Sequence, residues 1–99
     1  MAENTGSLRH TVAMNVTPDE KRRNDALAER IASVLHDIRV EKEFTQDQLA
    51  VRAGLSRTSL GDVEQARKAV TAQKLLQILS ALDVTMSDFF RRVEQSEQM

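Results

Sequence analysis

From Leu27 onward the apolar positions recur at spacings of three and four, so that Leu27, Ile31, Val34, Leu35 and Ile38 share one helical face. Just upstream, Thr17-Pro18-Asp19-Glu20 supplies a capping hydroxyl, a proline suited to the first helical position, acids for the first turn and a glutamate able to reach back. A helix over about 18–41 is predicted. Beyond it one device repeats four times: an apolar residue precedes a Thr or Ser N-cap and packs on another apolar residue five positions later. Phe44-Thr45 leads to Leu49, Leu55-Ser56 to Leu60, Val70-Thr71 to Leu75 and Val84-Thr85 to Phe89, with Gln48 completing a capping box in the first. These predict short helices over about 46–53, 57–65, 72–82 and 86–94, joined by the short connections usual in helical domains. Residues 1–16 carry no period and read as a mobile tail, and 95–99 as a frayed end.

The fold class expected is therefore all-α, a five-helix bundle with a central helix-turn-helix over 17–94. Composition agrees, since the only aromatics are Phe44, Phe89 and Phe90, period-two β-branched runs are missing, and helix-forming residues are plentiful. Ninety-nine residues suit one hydrophobic core. No apolar run approaches the ~20 residues of a bilayer span, so no membrane partner is expected. With no cysteine, disulfides, thiolate metal sites and thiol catalysis fall away together. No charged-then-apolar leader is visible, and a cytoplasmic location is expected.

Formal net charge is −1, which is low for a chain that neutralises phosphates. The distribution changes that picture. Residues 52–74 carry Arg52, Arg57, Arg67, Lys68 and Lys74 against Asp62 and Glu64 alone, while both flanks are slightly acidic.

Overlapping this basic stretch, Gln46 to Gln65 reads QDQLAVRAGLSRTSLGDVEQ. Ala50 is small enough for two helices to approach closely, Gly54 can take the left-handed conformation that ends the first, and Leu60 and Val63 turn the second helix's apolar side inward. Leu49, Ala53 and Leu55 complete the seam. The opposite side, with Arg57, Thr58, Ser59, Gly61 and Asp62, is short, polar and free to enter a groove. Gly61 costs about 1 kcal/mol of helix propensity, which points to a close approach of the backbone to DNA or to a neighbouring helix.

At these residues the chain resembles the phage-repressor family of helix-turn-helix proteins, the Cro- or XRE-like proteins, from about Ala28 to Phe90. The likeness is carried by Thr45-Gln46, Leu49-Ala50, Ala53-Gly54-Leu55-Ser56, Arg57-Thr58, Val63-Glu64 and the later run LLQILSALDVTMSDFF. A narrower likeness, in Arg67-Lys68-Ala69-Val70-Thr71, is to the controller proteins of restriction–modification systems. The family usually has glycine where this chain has Ala66, and a basic residue or asparagine where it has Gln65.

The resemblance implies a sequence-specific DNA-binding transcription regulator, with double-stranded DNA as partner and the helix at 57–65 in the major groove. Gln46 would aim its side chain and backbone N–H at a phosphate. Arg57 would donate twice to a guanine, with Thr58 and Ser59 touching bases, and Asp62 would accept from a cytosine amino group or hold Arg57 in position. Arg67, Lys68 and Gln73 would meet the DNA backbone, whereas Glu64 would support the domain internally by pairing with Arg39 or Arg52. Leu76, Leu79, Leu82, Met86, Phe89, Phe90 and Val93 offer more apolar surface than one small core covers, which implies a homodimer interface on the last two helices. Two recognition helices about 34 Å apart would then meet successive major grooves of a palindromic operator.

Catalysis, a cofactor and a metal site are not expected: His10 lies in the tail, His36 stands beside Asp37 alone, and no nucleophile–base pair, ligand cluster or phosphate-cradling glycine loop is visible. The alternative that stays open is an antitoxin-like module of the same fold, which neutralises a protein partner through its tail or last helix and autoregulates its operon. Sequence-independent coating of nucleic acid is a poor match to the charge.

Overall fold

The computed structural model describes residues 17–96, within which there are five helices: α1 (Pro18–Glu41), α2 (Gln46–Ala53), α3 (Arg57–Glu64), α4 (Ala72–Leu82) and α5 (Met86–Ser96). The expected tail at 1–16 lies outside the described residues, as do residues 97–99.

Each helix starts where its cap was expected. Thr17 accepts from the Glu20 N–H at 3.1 Å while Glu20 accepts from the Thr17 N–H at 2.9 Å, and Thr45 and Gln48 form the same reciprocal box on α2. The Thr17 N–H also holds the Glu20 carboxyl below its ordinary pKa, because it stabilises the charged form. Ser56, Thr71 and Thr85 each accept from the backbone N–H three residues on, at 3.0–3.1 Å. The four apolar residues preceding these caps, Phe44, Leu55, Val70 and Val84, pack against the core. Their partners Leu49, Leu60, Leu75 and Phe89 are buried in it. The staple therefore sets the entry angle of every helix after α1, which is why such short helices hold fixed positions.

The core is apolar throughout and draws on all five helices: Val34, Leu35 and Ile38 from α1, Leu49, Ala50 and Ala53 from α2, Leu60 and Val63 from α3, Leu75, Ile78, Leu79 and Leu82 from α4, and Phe89 and Val93 from α5. Three of the expected dimer residues, Leu82, Phe89 and Val93, are accordingly buried within the protomer and present no surface to a second copy. Leu79 is buried with them. Helical spacing assigns them an apolar face but does not say what covers it, and here α1 and α4 close over α5. Leu76 and Phe90 remain exposed, at 51% and 38%, and Met86 is partly buried against the core.

Two features lie outside that core. The first ten residues of α1, 18–27, are exposed throughout and are braced by pairs along the helix, Arg22 with Asp19 and Lys21 with Asp25. At its other end α1 is tied to α5 by Arg92, which donates through Nη1 and Nη2 to the Glu41 carboxylate and lowers that carboxyl's pKa. Helix α5 continues two residues past its expected end, with the Ser96 hydroxyl donating to the Val93 carbonyl at 2.7 Å.

Candidate nucleic-acid interface

Helices α2 and α3 are eight residues each and meet at the turn Gly54-Leu55-Ser56. Gly54 closes α2 at φ 73°, ψ 30°, the left-handed region in which only a residue without Cβ is unstrained. From it the Leu55 N–H reaches the Ala50 carbonyl at 2.9 Å, and Gln77 of α4 donates to the Ala53 carbonyl at 3.0 Å. The last carbonyls of α2 thus have partners. Leu55 packs inward, Ser56 caps α3, and Leu60 and Val63 are buried beneath it.

The end of α3 differs from the end of α2. Gln65 is the C-cap, and the next residue, Ala66, takes φ 57° with its N–H on the Val63 carbonyl at 3.1 Å. The left-handed residue usual after such a helix is present, but alanine fills it. A left-handed conformation costs a residue with a Cβ roughly 1–2 kcal/mol, so the departure from the family's glycine is met by strain rather than by a different backbone path.

At the end of α3 lies a part-buried polar cluster built around Glu64. Glu64, with its side chain 2% exposed, accepts from Arg39 Nε at 2.8 Å, from Gln46 Nε2 at 3.3 Å, and lies 3.4 Å from His36 Nδ1. Arg39 also donates to the Phe44 carbonyl at 2.8 Å, so one guanidinium holds α1, the α1–α2 turn and the end of α3 together. Of the two arginines expected for Glu64, Arg39 is the partner. Arg52 instead lies over the Phe44 ring, 5.0 Å from its centroid. Gln46 differs from expectation: its side chain is committed to Glu64, and the direction left for an anion is that of the backbone N–H groups opening α2.

The outward side of α3 is where the expected readers stand. Arg57 is 69% exposed in its side chain, and its Nε lies 3.3 Å from an equally exposed Asp47 carboxylate. Such a pair is worth little in water and yields readily to a stronger acceptor. Thr58 is exposed beside it. Asp62 does not hold Arg57: its carboxylate, 15% exposed, lies 3.8 Å from Arg67 Nη1 and 3.6 Å from Lys68 Nζ, drawing the following loop back toward the helix. Ser59 likewise has a partner within the chain, its hydroxyl accepting from Lys74 Nζ at 3.2 Å across to α4. Lys74 is thus a cation of this surface that the pattern-based reading passed over, although it belongs to the same basic stretch.

Gln46, Arg57, Thr58, Gly61, Asp62, Gln65 and Arg67 border one shallow depression. Gln73 stands apart from it, exposed in the first turn of α4, beside a second depression bordered by Arg52, Leu76 and Gln77. Among the described residues nothing outside α3's own backbone and the adjoining residues lies within 4 Å of the place where a Gly61 Cβ would stand, so none of the other described helices makes the close approach that this glycine allows.

A helix-turn-helix family model, HTH_3, matches residues 35–89, the stretch that holds both short helices, their staples and the part-buried cluster. The chain belongs to the XRE-type helix-turn-helix family. It is a DNA-binding transcription regulator. Among solved structures it is similar to the wild-type restriction–modification controller protein C.Esp1396I, with 29% identity and a TM-score of 0.70 over 73% of this chain and 94% of that one. It is similar also to the controller protein C.AhdI from Aeromonas hydrophila, with 29% identity and a TM-score of 0.63 over 66% of this chain and 98% of that one. Comparison with curated proteins gives no match.

Two physical facts accompany that membership. No helix among the described residues is long and apolar enough to cross a membrane. In this XRE-type regulator, Glu64 and Arg39 form a part-buried pair that fastens the end of α3, while Arg57 and Thr58 at its start stand exposed.

Proposed function

We propose that the protein is a homodimeric, sequence-specific regulator that lays α3 in the major groove of each half of a two-fold operator. The observation that carries this reading is the exposed Arg57-Thr58 pair opening a helix whose other side is anchored by Leu60, Val63 and Glu64. A guanidinium so placed can leave Asp47 and donate twice to guanine O6 and N7. Thr58 offers a hydroxyl and a methyl to the neighbouring pair. The backbone N–H groups at the start of α2, beside Gln46, suit one phosphate. Arg67, Lys68 and Lys74 suit the phosphates beyond the end of α3, with Gln73 at the start of α4 as a further backbone contact. Asp62 and Ser59 act here as holders of those cations.

Leu76 and Phe90, with Met86 beside the core, are the apolar residues of the last two helices left for a partner copy, and a homodimer on this side gives the reader the second half-site that a two-turn helix needs. Because both solved relatives are named restriction–modification controllers, the regulated genes we favour are those of a restriction–modification system.

The test uses a duplex selected by the wild-type chain from a random pool. Arg57→Ala should weaken binding to it by about 5- to 150-fold, the equivalent of ~1–3 kcal/mol, and relax preference at one base pair per half-site. Unchanged affinity together with unchanged preference would remove α3 from the groove.

A further inference from the structure

Residues 57, 58 and 61 of α3 and its C-cap residue 65 recur at helical spacing on one side, so Gly61 occupies the middle of that stripe, one turn from Arg57 and one turn from Gln65. The stripe is therefore bare at its centre. Gly61 borders a depression of about 330 Å³ whose rim is Gln46, Arg57, Thr58, Asp62, Gln65 and Arg67. Interior glycine weakens a helix, and in most folds close packing explains its presence. Among the described residues no such packing exists, because outside α3's own backbone and the adjoining residues nothing stands within 4 Å of the missing Cβ. Nor does the backbone require it, since Gly61 is not among the positive-φ residues.

Resting on the reading of α3 as the groove-entering helix, we infer that Gly61 is a specificity-determining position, at which the bare helix backbone seats the edge of a base pair. A recognition helix of this kind meets base edges with its N-terminal residues, and Gly61 stands one turn behind Arg57 on that same side. With no side chain there, α3 sinks further, and the short reach from Arg57 and Thr58 on one side and Gln65 on the other becomes sufficient for hydrogen-bond distances. A methyl group at the centre would lift the helix and lengthen all of these contacts together. The phosphate contacts of Arg67, Lys68 and Lys74 end in long, mobile side chains and would follow the shift.

The experiment compares wild type, Gly61→Ala and Arg57→Ala by thermal melting and by titration with the selected duplex and with a scrambled duplex of the same length. Gly61→Ala is expected to raise Tm by on the order of 4 °C, because alanine restores helix propensity in open space. It should also lose at least tenfold in affinity for the selected duplex while scrambled DNA binds within about twofold of wild type. A Gly61→Ala chain that binds the selected duplex as well as wild type, or that melts lower than wild type, overturns the inference. If Arg57→Ala shows its expected loss at the same time, only the role of Gly61 fails; if neither variant is impaired, the groove placement of α3 fails with it.

Discussion

Helices α2 and α3 have the same length and opposite constructions. Helix α2, QDQLAVRA, opens with a full capping box, buries Leu49, Ala50 and Ala53, and ends on a relaxed glycine. Helix α3, RTSLGDVE, has a single capping hydroxyl, a glycine in its interior, two buried apolar residues and an alanine strained at its exit. Eight residues are too few for either helix to stand alone in water, but the local signals favour the first far more than the second. What holds α3 is tertiary: the Leu55 staple, Leu60 and Val63 in the core, and the Arg39–Glu64 pair behind it. A scaffold helix can be built from strong local signals, whereas a reading helix gives its outward positions to polar residues and must be fastened from the inside.

Cutting the fastening should have the largest effect. Arg39→Ala leaves the Glu64 carboxylate buried without its charged partner, and we expect a loss of about 3–5 kcal/mol in denaturant unfolding, with hydrogen exchange rising first in α3. A loss below about 1 kcal/mol would mean that α3 holds without the cluster, and the contrast between the helices would dissolve. A milder test exchanges the two helix ends. Gly54→Ala should cost about 1–2 kcal/mol from backbone strain alone, since its Cβ would meet only Gln77 Nε2 at an ordinary 3.7 Å. Ala66→Gly should have the opposite sign and stabilise by about 0.5–1 kcal/mol, because the φ of 57° is then unstrained. Equal signs for the two would show that the exits of α2 and α3 are not differently strained.

The elements most legible in the sequence were those whose signals are local. Four apolar–hydroxyl–apolar devices and two capping boxes placed every helix start, and Gly54 placed the turn, because caps and staples act within five residues. The back of the reading helix was half legible: Glu64 was expected to pair with Arg39 or Arg52, and does so with Arg39. Where the reading departed from the structure, the competing partner was distant in sequence or of the same chemical type. Asp62 had several nearby cations to choose from and lies beside Arg67 and Lys68, and Ser59 found Lys74 fifteen residues away. Gln46 carries an amide that serves a phosphate or a buried carboxylate equally well, and only the placement of Glu64 decides between them. Leu82, Phe89 and Val93 were assigned to an interface because periodicity identifies an apolar face without identifying what covers it.

The central claim, that Arg57 on the outward side of α3 meets guanine in the major groove, is tested most directly by methylation interference on the selected duplex, comparing wild type with Arg57→Ala. N7 methylation blocks the acceptor that a guanidinium would use. The account predicts one guanine per half-site whose N7 methylation prevents binding by the wild type and is without effect on the variant. Identical interference patterns for the two proteins, or interference confined to adenine N3 in the minor groove, would contradict it.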